Sequence, residues 1–233
     1  MQTQISLKNL LVLCCCLLLV GTSFAPVYSG QERANLAGTA VFPNQHHKEW
    51  LQVQKNPDFA AKDKIIHTVN TYFTLKFESW LKGTLLDFGF LFNTNDVNAW
   101  NDYAYERGIY FVNLAGWKCL KTLLLSYDYH PEFYKVEIEE AKAIVEMKPN
   151  AQIVTQDIPD RTDPGPWAKH TFELVLSGKS WLIQKIMCND PIYYAYPRNI
   201  DFDREAEELI KSYKKERSRI DVLMTALMRG GLF

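Results

Sequence analysis

The sequence has 233 residues, of which 47% are hydrophobic and 23% charged, a balance typical of folded soluble proteins that excludes a disordered chain. Its 26 basic and 27 acidic side chains give a formal net charge of −1. A nucleic-acid-binding protein is therefore not expected, because neutralising phosphates needs a surplus of Lys and Arg on one face.

Residues 1–29 are interpreted as a secretory leader. The apolar run Leu10–Val20 follows a lysine and precedes small and turn-forming residues, which is the pattern of a signal peptide. The run is shorter than the roughly 20 apolar residues that a membrane span needs. Cleavage after Ser29 would release an extracellular or envelope-associated protein. Two alternatives stay open. The leader could remain uncleaved as an anchor that reaches Ala25 and holds the protein in the membrane, or one of Cys14-Cys15-Cys16 could be lipidated.

The segment after the leader is predicted to be an extended arm followed by a long helix. Residues 30–57 mix Gly, Asn, Pro and Gln without a sustained period. The helix is predicted from Asp58, whose carboxylate can cap free amides, to Leu86. Its apolar residues recur at three- and four-residue spacing: Ile65, Ile66, Val69, Tyr72, Phe73, Phe77, Trp80 and Leu81.

A second helical pattern covers Trp100–Trp117. Gly108 and Gly116 weaken its continuity, so one long helix and two shorter helices are both open.

Strands are predicted after Tyr127, where the period changes to two. Tyr134, Val136 and Ile138 alternate with charged residues, as in a half-buried strand. A bulge near Glu140 would explain the change of parity that follows.

The second half of the sheet is predicted as a returning strand, a loop and a closing hairpin. The strand covers Ala151–Asp157, and three prolines and a glycine make Pro159–Pro166 a loop. The hairpin joins the alternating segment from His170 to the segment Trp181–Cys188 through the turn Ser177-Gly178-Lys179-Ser180.

An aromatic link leads to a final amphipathic helix over about Asp203–Met228. Asp201 or Asp203 can cap it, and its acidic residues come early and its basic residues late, which suits the helix dipole. Its apolar side would dock a partner or a second copy if the domain does not use it. Arg217 would interrupt such a seam.

Helices first and an antiparallel sheet afterwards predict an α+β fold. N-terminal helices would pack on a curved sheet of about four strands, with an additional C-terminal helix. The expected organisation is a leader (1–29), an arm (30–57), one α+β domain (58–190), and a link with the final helix (191–233).

This order of elements resembles the nuclear-transport-factor-2-like, cystatin-like cone fold. The segment Asp63–Asp190 is similar to the N-terminal domain that precedes a putative amidase domain in secreted proteins of Gram-positive bacteria. The residues that carry the resemblance are Tyr72-Phe73, Trp80-Leu81, Tyr134–Ile138 and the hairpin Phe172–Asp190. It implies a cone-shaped fold and an export context. It does not imply amidase activity, because nothing after Asp190 is similar to an amidase domain.

Candidate catalytic residues are His67, beside the apolar stripe of the first helix, and His170, which shares strand parity with Phe172. In a cone-shaped fold an inward histidine can act as a general acid or base with a carboxylate such as Asp102 as its partner. The alternative for each histidine is a hydrogen-bonded place in the core.

Other candidate sites are weaker. His46-His47 with Glu49 lacks a third ligand at metal spacing, and Gly178-Lys179-Ser180 lacks the earlier glycine of a phosphate-binding loop. We predict no metal and no cofactor. Cys119 and Cys188 are left as either a disulfide or two buried thiols.

Three functions are open. A non-catalytic module that binds an unknown protein or envelope component predicts an interior without a convergent polar cluster. A small-molecule enzyme predicts a pocket where His67 or His170 faces a carboxylate. An orphaned accessory domain of a cell-wall amidase system predicts a catalytic domain encoded nearby. We favour the first and do not expect an enzyme.

Overall fold

The computed structural model describes residues 45–163, 168–189 and 197–229. The leader, the first part of the predicted arm and most of the aromatic link lie outside these ranges. The helices are α1 (Gln45–Lys55), α2 (Ala61–Lys82), α3 (Val97–Leu120) and α4 (Phe202–Arg229), with a short 3-10 helix at Gly89–Leu91. The strands are β1 (Leu124–Tyr129), β2 (Glu132–Glu139), β3 (Lys142–Lys148), β4 (Ala151–Thr155), β5 (Ile158–Asp163), β6 (His170–Ser177) and β7 (Ser180–Cys188). The α+β class predicted from the sequence is confirmed.

The strands form two antiparallel sheets, and one long bent hairpin contributes strands to both of them. The larger sheet has the order β2-β3-β6-β7 and the smaller one has the order β1-β4-β5. Strand β1 leads into β2, and β3 leads into β4. The bend is held by the backbone N–H of His130, which donates to the carbonyl of Asn150 at 2.7 Å. The curvature expected for the sheet therefore comes from one change of direction in a long hairpin.

Helix α2 supplies the centre of the core. Ile65, Val69, Tyr72 and Leu75 on this helix are all 0% exposed. Tyr72 also meets Phe172 of β6 edge to face, with ring centroids 5.5 Å apart. The wide apolar stripe read from the sequence is thus the face that α2 buries against the sheet.

The prediction of an extended arm is wrong for residues 45–55, which form α1. The helix is mostly polar, so its period was missed. Its two buried residues attach it to the core: the Trp50 indole N–H donates to Thr68 Oγ1 at 3.0 Å, and Gln54 Oε1 accepts from the Trp181 amide at 3.0 Å.

Asp58 does not cap α2, contrary to the prediction. The helix begins three residues later, and its N-cap Ala60 makes no side-chain capping bond. The Asp58 amide instead donates to Asn56 Oδ1 at 2.9 Å, because the two residues form an Asx turn.

Helix α3 is continuous through both of its glycines, which decides between the two alternatives for this segment. It starts at the cap Asp96, whose carboxylate accepts from the amides of Asn98 and Ala99. The glycine at 108 serves packing, because a Cβ there would lie 2.1 Å from the ring of Phe202.

The predicted bulge near Glu140 is a tight turn. Glu140 has a φ of 52°, and Glu139 pairs with Lys142 across the hairpin. The bulge lies earlier, between Phe133 and Lys135. It changes the parity of the strand, so Tyr134 is exposed, contrary to the half-buried pattern expected from its spacing.

The predicted loop Pro159–Pro166 begins as strand β5, Ile158–Asp163, and its last three residues lie outside the described ranges. The strand lies at an edge, where proline is tolerated because its missing N–H is not needed by a neighbour. The closing hairpin of β6 and β7 is present as predicted. Helix α4 is also present, and Asp201 Oδ1 accepts from the Arg204 amide at 3.1 Å. Within the described residues, no helix has both the length and the apolar character to cross a membrane.

Candidate functional site

The interior contains a polar network between α2 and α3. The carboxylate of Glu106 is 1% exposed. Its Oε2 accepts from the Tyr72 hydroxyl at 2.5 Å and from the Lys76 ammonium at 3.3 Å. Lys76 Nζ also donates to the Tyr72 hydroxyl at 2.9 Å. The network is thus a buried ion pair with a tyrosine hydroxyl between its charges.

Aromatic rings enclose the Lys76 ammonium. Its Nζ lies 4.9 Å from the ring centroid of Tyr72 and 5.0 Å from that of Tyr110. The Tyr110 hydroxyl donates to the Lys76 carbonyl. The negative faces of these rings stabilise a cation that has lost most of its water.

Within the described part of the chain, one atom of the network has no hydrogen-bond partner. Glu106 Oε1 is buried without one, which costs about 1–3 kcal/mol relative to a satisfied group. Burial and the neighbouring Glu106 carboxylate raise the pKa of Tyr72 well above its ordinary value, so its hydroxyl keeps its proton.

The interpretation as a non-catalytic module expected no convergent polar cluster, and on this point it is wrong. The sequence did hold a signal. Tyr103, Glu106 and Tyr110 follow helical spacing on one buried face of α3, and Lys76 stands one turn after Tyr72 on α2. A charged residue inside an apolar stripe indicates a buried partner.

The predicted candidate His170 is a core residue. It is 8% exposed, its Nδ1 lies 3.0 Å from the Ala168 carbonyl oxygen, and its ring meets Phe73 edge to face at 5.1 Å. Burial, with the positive charge of Lys76, lowers the pKa of His170 to about 3. The imidazole is therefore neutral at physiological pH.

Asp102 pairs with a different residue from the one expected. Its Oδ1 lies 2.6 Å from Arg198 Nη1, and the Arg198 guanidinium lies over the Tyr105 ring at 5.0 Å. The carboxylate therefore holds the segment that leads into α4.

His67 is half-buried on α2, and its buried Nε2 finds no hydrogen-bond partner among the residues that the structure describes. Loss of solvation lowers its pKa, opposed by the charge of Glu49. Among the contacts found in the described ranges, none joins His67, His170 and Asp102 to one another.

The N-terminal histidines attach α1 to its neighbours. His46 Nε2 lies 2.8 Å from Glu78 Oε1 and its Nδ1 lies 3.9 Å from Glu49 Oε2. His47 stacks on Phe90 at 4.4 Å. Over the part of the chain that the structure describes, no three His, Cys, Asp or Glu residues come together as metal ligands would.

Cys119 and Cys188 are thiols in the structure and do not form a disulfide. Cys188 is buried in the core at the end of β7. Cys119 is half-buried near the end of α3, and burial raises its pKa.

Helix α4 packs along α3 through a small separate cluster. Val112 and Ala115 of α3 contact Ala206 of α4, flanked by Phe202, Leu209 and Ile210. Gly116 faces Leu209. The two helices run in the same direction, since later residues of α3 meet later residues of α4.

The comparisons with known proteins add little to this description. No family model and no curated protein matches the sequence. One similar solved structure is the intermembrane-space region of the chloroplast protein ARC6, at 12% identity and a TM-score of 0.33, covering 56% of this chain and 97% of that chain. Another is a domain of unknown function with a cystatin-like fold from Nostoc punctiforme, at 8% identity and a TM-score of 0.31, covering 73% of this chain and 99% of that chain. TM-scores this low do not establish a shared fold, so the α+β assignment rests on the chain's own elements.

Proposed function

We propose that this protein is an exported, non-catalytic interaction module that works at the cell envelope and contacts its partner through α4. One observation carries the proposal. Among the side chains of α4 that the structure describes, Ala206, Leu209 and Ile210 pack in the cluster with α3, and the charge of Lys214 acts on Cys119 near the end of α3. The helix continues to Arg229, roughly 20 Å further along its axis.

The sequence of the extension supports the same role. In the sequence, Ile220, Met224 and Leu227 recur at three- and four-residue spacing beyond Arg217. A helix with an apolar stripe and basic residues is suited to a partner surface. The leader predicted from the sequence would deliver this helix to the cell exterior.

Two of the three candidate catalytic residues, and the cation of the polar network, are already used for structure, which favours a role without catalysis. Asp102 holds Arg198, His170 is packed against aromatic rings, and the Lys76 ammonium is paired with Glu106.

Cell fractionation tests the proposal. The chain truncated after Glu216 keeps the docked half of α4 and loses the extension. We expect it to keep the parent's melting temperature within a few degrees and to move from the envelope fraction into the medium. The matched control is the full chain with Lys62→Gln, an exposed position at the start of α2. Equal envelope association of the truncated and full chains would contradict the proposal.

A second candidate, a small-molecule site, is favoured by the unsatisfied Oε1 of Glu106. A ligand that donates a hydrogen bond to this oxygen would stabilise the parent protein against heat and would not stabilise Glu106→Gln. A screen of small polar molecules by thermal shift separates the two candidates. The third alternative, an accessory domain of a cell-wall amidase system, stays a prediction.

A further inference from the structure

Exposed lysines and leucines come together at one end of the molecule, where α2 and α3 finish. Gly83 lies against the side chains of Lys118 and Leu123, and Trp80 stacks on Trp117 at 4.3 Å. We call this region the lysine–leucine end. It consists of Leu81, Lys82, Lys118, Leu120, Lys121, Leu125, Lys214 and Lys215, all of them exposed.

The charge of this end differs from that of the whole chain. Five of its residues are lysines, whereas the complete sequence has a formal net charge of −1. Three carboxylates lie nearby, so this end has two more lysines than carboxylates. Glu78 is already paired with Lys82 at 2.6 Å, Asp157 accepts from Thr155, and Glu216 follows Lys215 on α4.

The exposed leucines favour an anionic bilayer over a soluble polyanion as the partner. Leu120 is 45% exposed, Leu125 is 49% exposed and Leu81 is 36% exposed. A soluble polyanion would be bound by the lysines alone and would gain nothing from apolar side chains. An anionic bilayer uses both, because lysines attract the headgroups and apolar side chains enter the boundary with the acyl chains. Helix α4 also passes this end, and its sequence continues with Arg217 and Arg219.

We propose that the lysine–leucine end binds the surface of an anionic lipid bilayer. This inference rests on the proposed function for its location at the envelope and names the partner's chemistry.

Vesicle co-sedimentation of the full chain tests the inference. The probes are vesicles of phosphatidylcholine alone and vesicles with one third phosphatidylglycerol. A retained leader would bind both kinds, so the measured quantity is the gain in partition coefficient on the anionic vesicles. Each lysine near an anionic surface contributes about fivefold. The triple substitution Lys118→Gln, Lys214→Gln and Lys215→Gln should therefore reduce the gain on the order of a hundredfold.

A matched control changes the same charge at the other end of the molecule. Lys55→Gln, Lys62→Gln and Lys179→Gln lie near the start of α2 and in the β6–β7 turn, and this control should keep the parent's gain. The pair Leu120→Ser and Leu125→Ser should lower the gain at least severalfold, whereas Phe59→Ser, also exposed, should not. Circular dichroism confirms that each variant is folded.

Two results would overturn the inference. One is an equal gain for the parent and for the triple lysine variant. The other is loss with the lysine variant and no change with the leucine pair, because binding by charge alone indicates a soluble polyanion. If truncation after Glu216 still releases the protein from the envelope while vesicle binding fails, the proposed function stands and the lipid partner is rejected.

Discussion

The core around α2 and the contact between α3 and α4 differ in how much they bury. The core joins α1, α2, the segment Phe88–Phe92 and both sheets in one cluster of aromatic and aliphatic side chains. Among the side chains that the structure describes, the α3–α4 contact is a separate cluster with three buried residues and three flanking ones. Stability is not uniform in such a protein, and an element held by a small cluster opens at a lower free energy than the core. We therefore expect α4 to open without unfolding of the domain.

The largest expected change in the free energy of unfolding comes from comparing one phenylalanine in each region, Phe172 in the core and Phe202 in the α3–α4 contact. Phe172 is 0% exposed in the core, so Phe172→Ala should lower the global free energy of unfolding by about 4 kcal/mol. Phe202→Ala should leave the global value nearly unchanged and expose only α4. Urea unfolding followed by circular dichroism measures both. Equal losses for the two variants would mean that the regions unfold together.

The buried ion pair should give the next largest effect. Lys76→Met leaves the Glu106 carboxylate buried without its cation, which should cost about 3 kcal/mol. The double variant Lys76→Met, Glu106→Gln removes that charge and should recover at least half of the loss. Urea midpoints of the parent, both single variants and the double variant give the coupling energy. If the pair contributes through packing alone, the double variant will be no more stable than Lys76→Met.

A smaller effect, dependent on pH, is expected from His170. Its pKa is about 3 in the folded protein, against an ordinary value of 6.5, so the unfolded chain takes up the proton first. Stability from this group is complete above pH 6.5 and falls toward pH 3 by about 1.4 kcal/mol per pH unit. His170→Phe removes the titration.

The measurement is the difference in unfolding free energy between parent and His170→Phe from pH 7 to pH 4.5. Every other titratable group is present in both proteins, so its contribution cancels. A difference that does not change with pH would show that His170 is accessible to protons in the folded state.

The smallest global effect is expected at Gly108. A Cβ at this position would lie 2.1 Å from the Phe202 ring, whereas a Cβ at Gly116 would lie 3.4 Å from Leu209. Gly108→Ala should therefore displace α4 while the intrinsic helix propensity of alanine strengthens α3 by about 1 kcal/mol. Gly116→Ala is the matched control and should keep α4 docked. Amide exchange in α4 is the readout.

The second substitution Phe202→Ala on the Gly108→Ala background removes the obstructing ring. It should not restore α4 docking fully, because the ring is also part of the contact. Unchanged exchange in α4 of Gly108→Ala would mean that the two helices adjust without separating.

Elements with a strong periodicity of apolar residues could be predicted from the sequence. Features that depend on contacts between residues far apart in the chain could not. The stripe on α2 and the β6–β7 hairpin follow from local spacing, because each buries one complete face. Helix α1 was missed because only Trp50 and Gln54 are buried on it, and a buried glutamine carries no hydrophobic signal. The network was missed because Tyr72 and Glu106 are far apart in the chain, and their meeting depends on the packing of α2 on α3.

The candidate catalytic residues show the same limit. Spacing indicated that His170 lies on an inward face, and burial agrees with that. It could not indicate the partners of Asp102, since Arg198 reaches it from a distant segment after β7.

Hydrogen–deuterium exchange of the full chain tests most directly whether α4 is an independently opening element. We predict that amides of α4 exchange within seconds to minutes, with opening free energies well below those of α2 and of β6 and β7, which should open only with global unfolding. Protection of α4 at the same free energy as α2 would contradict this account.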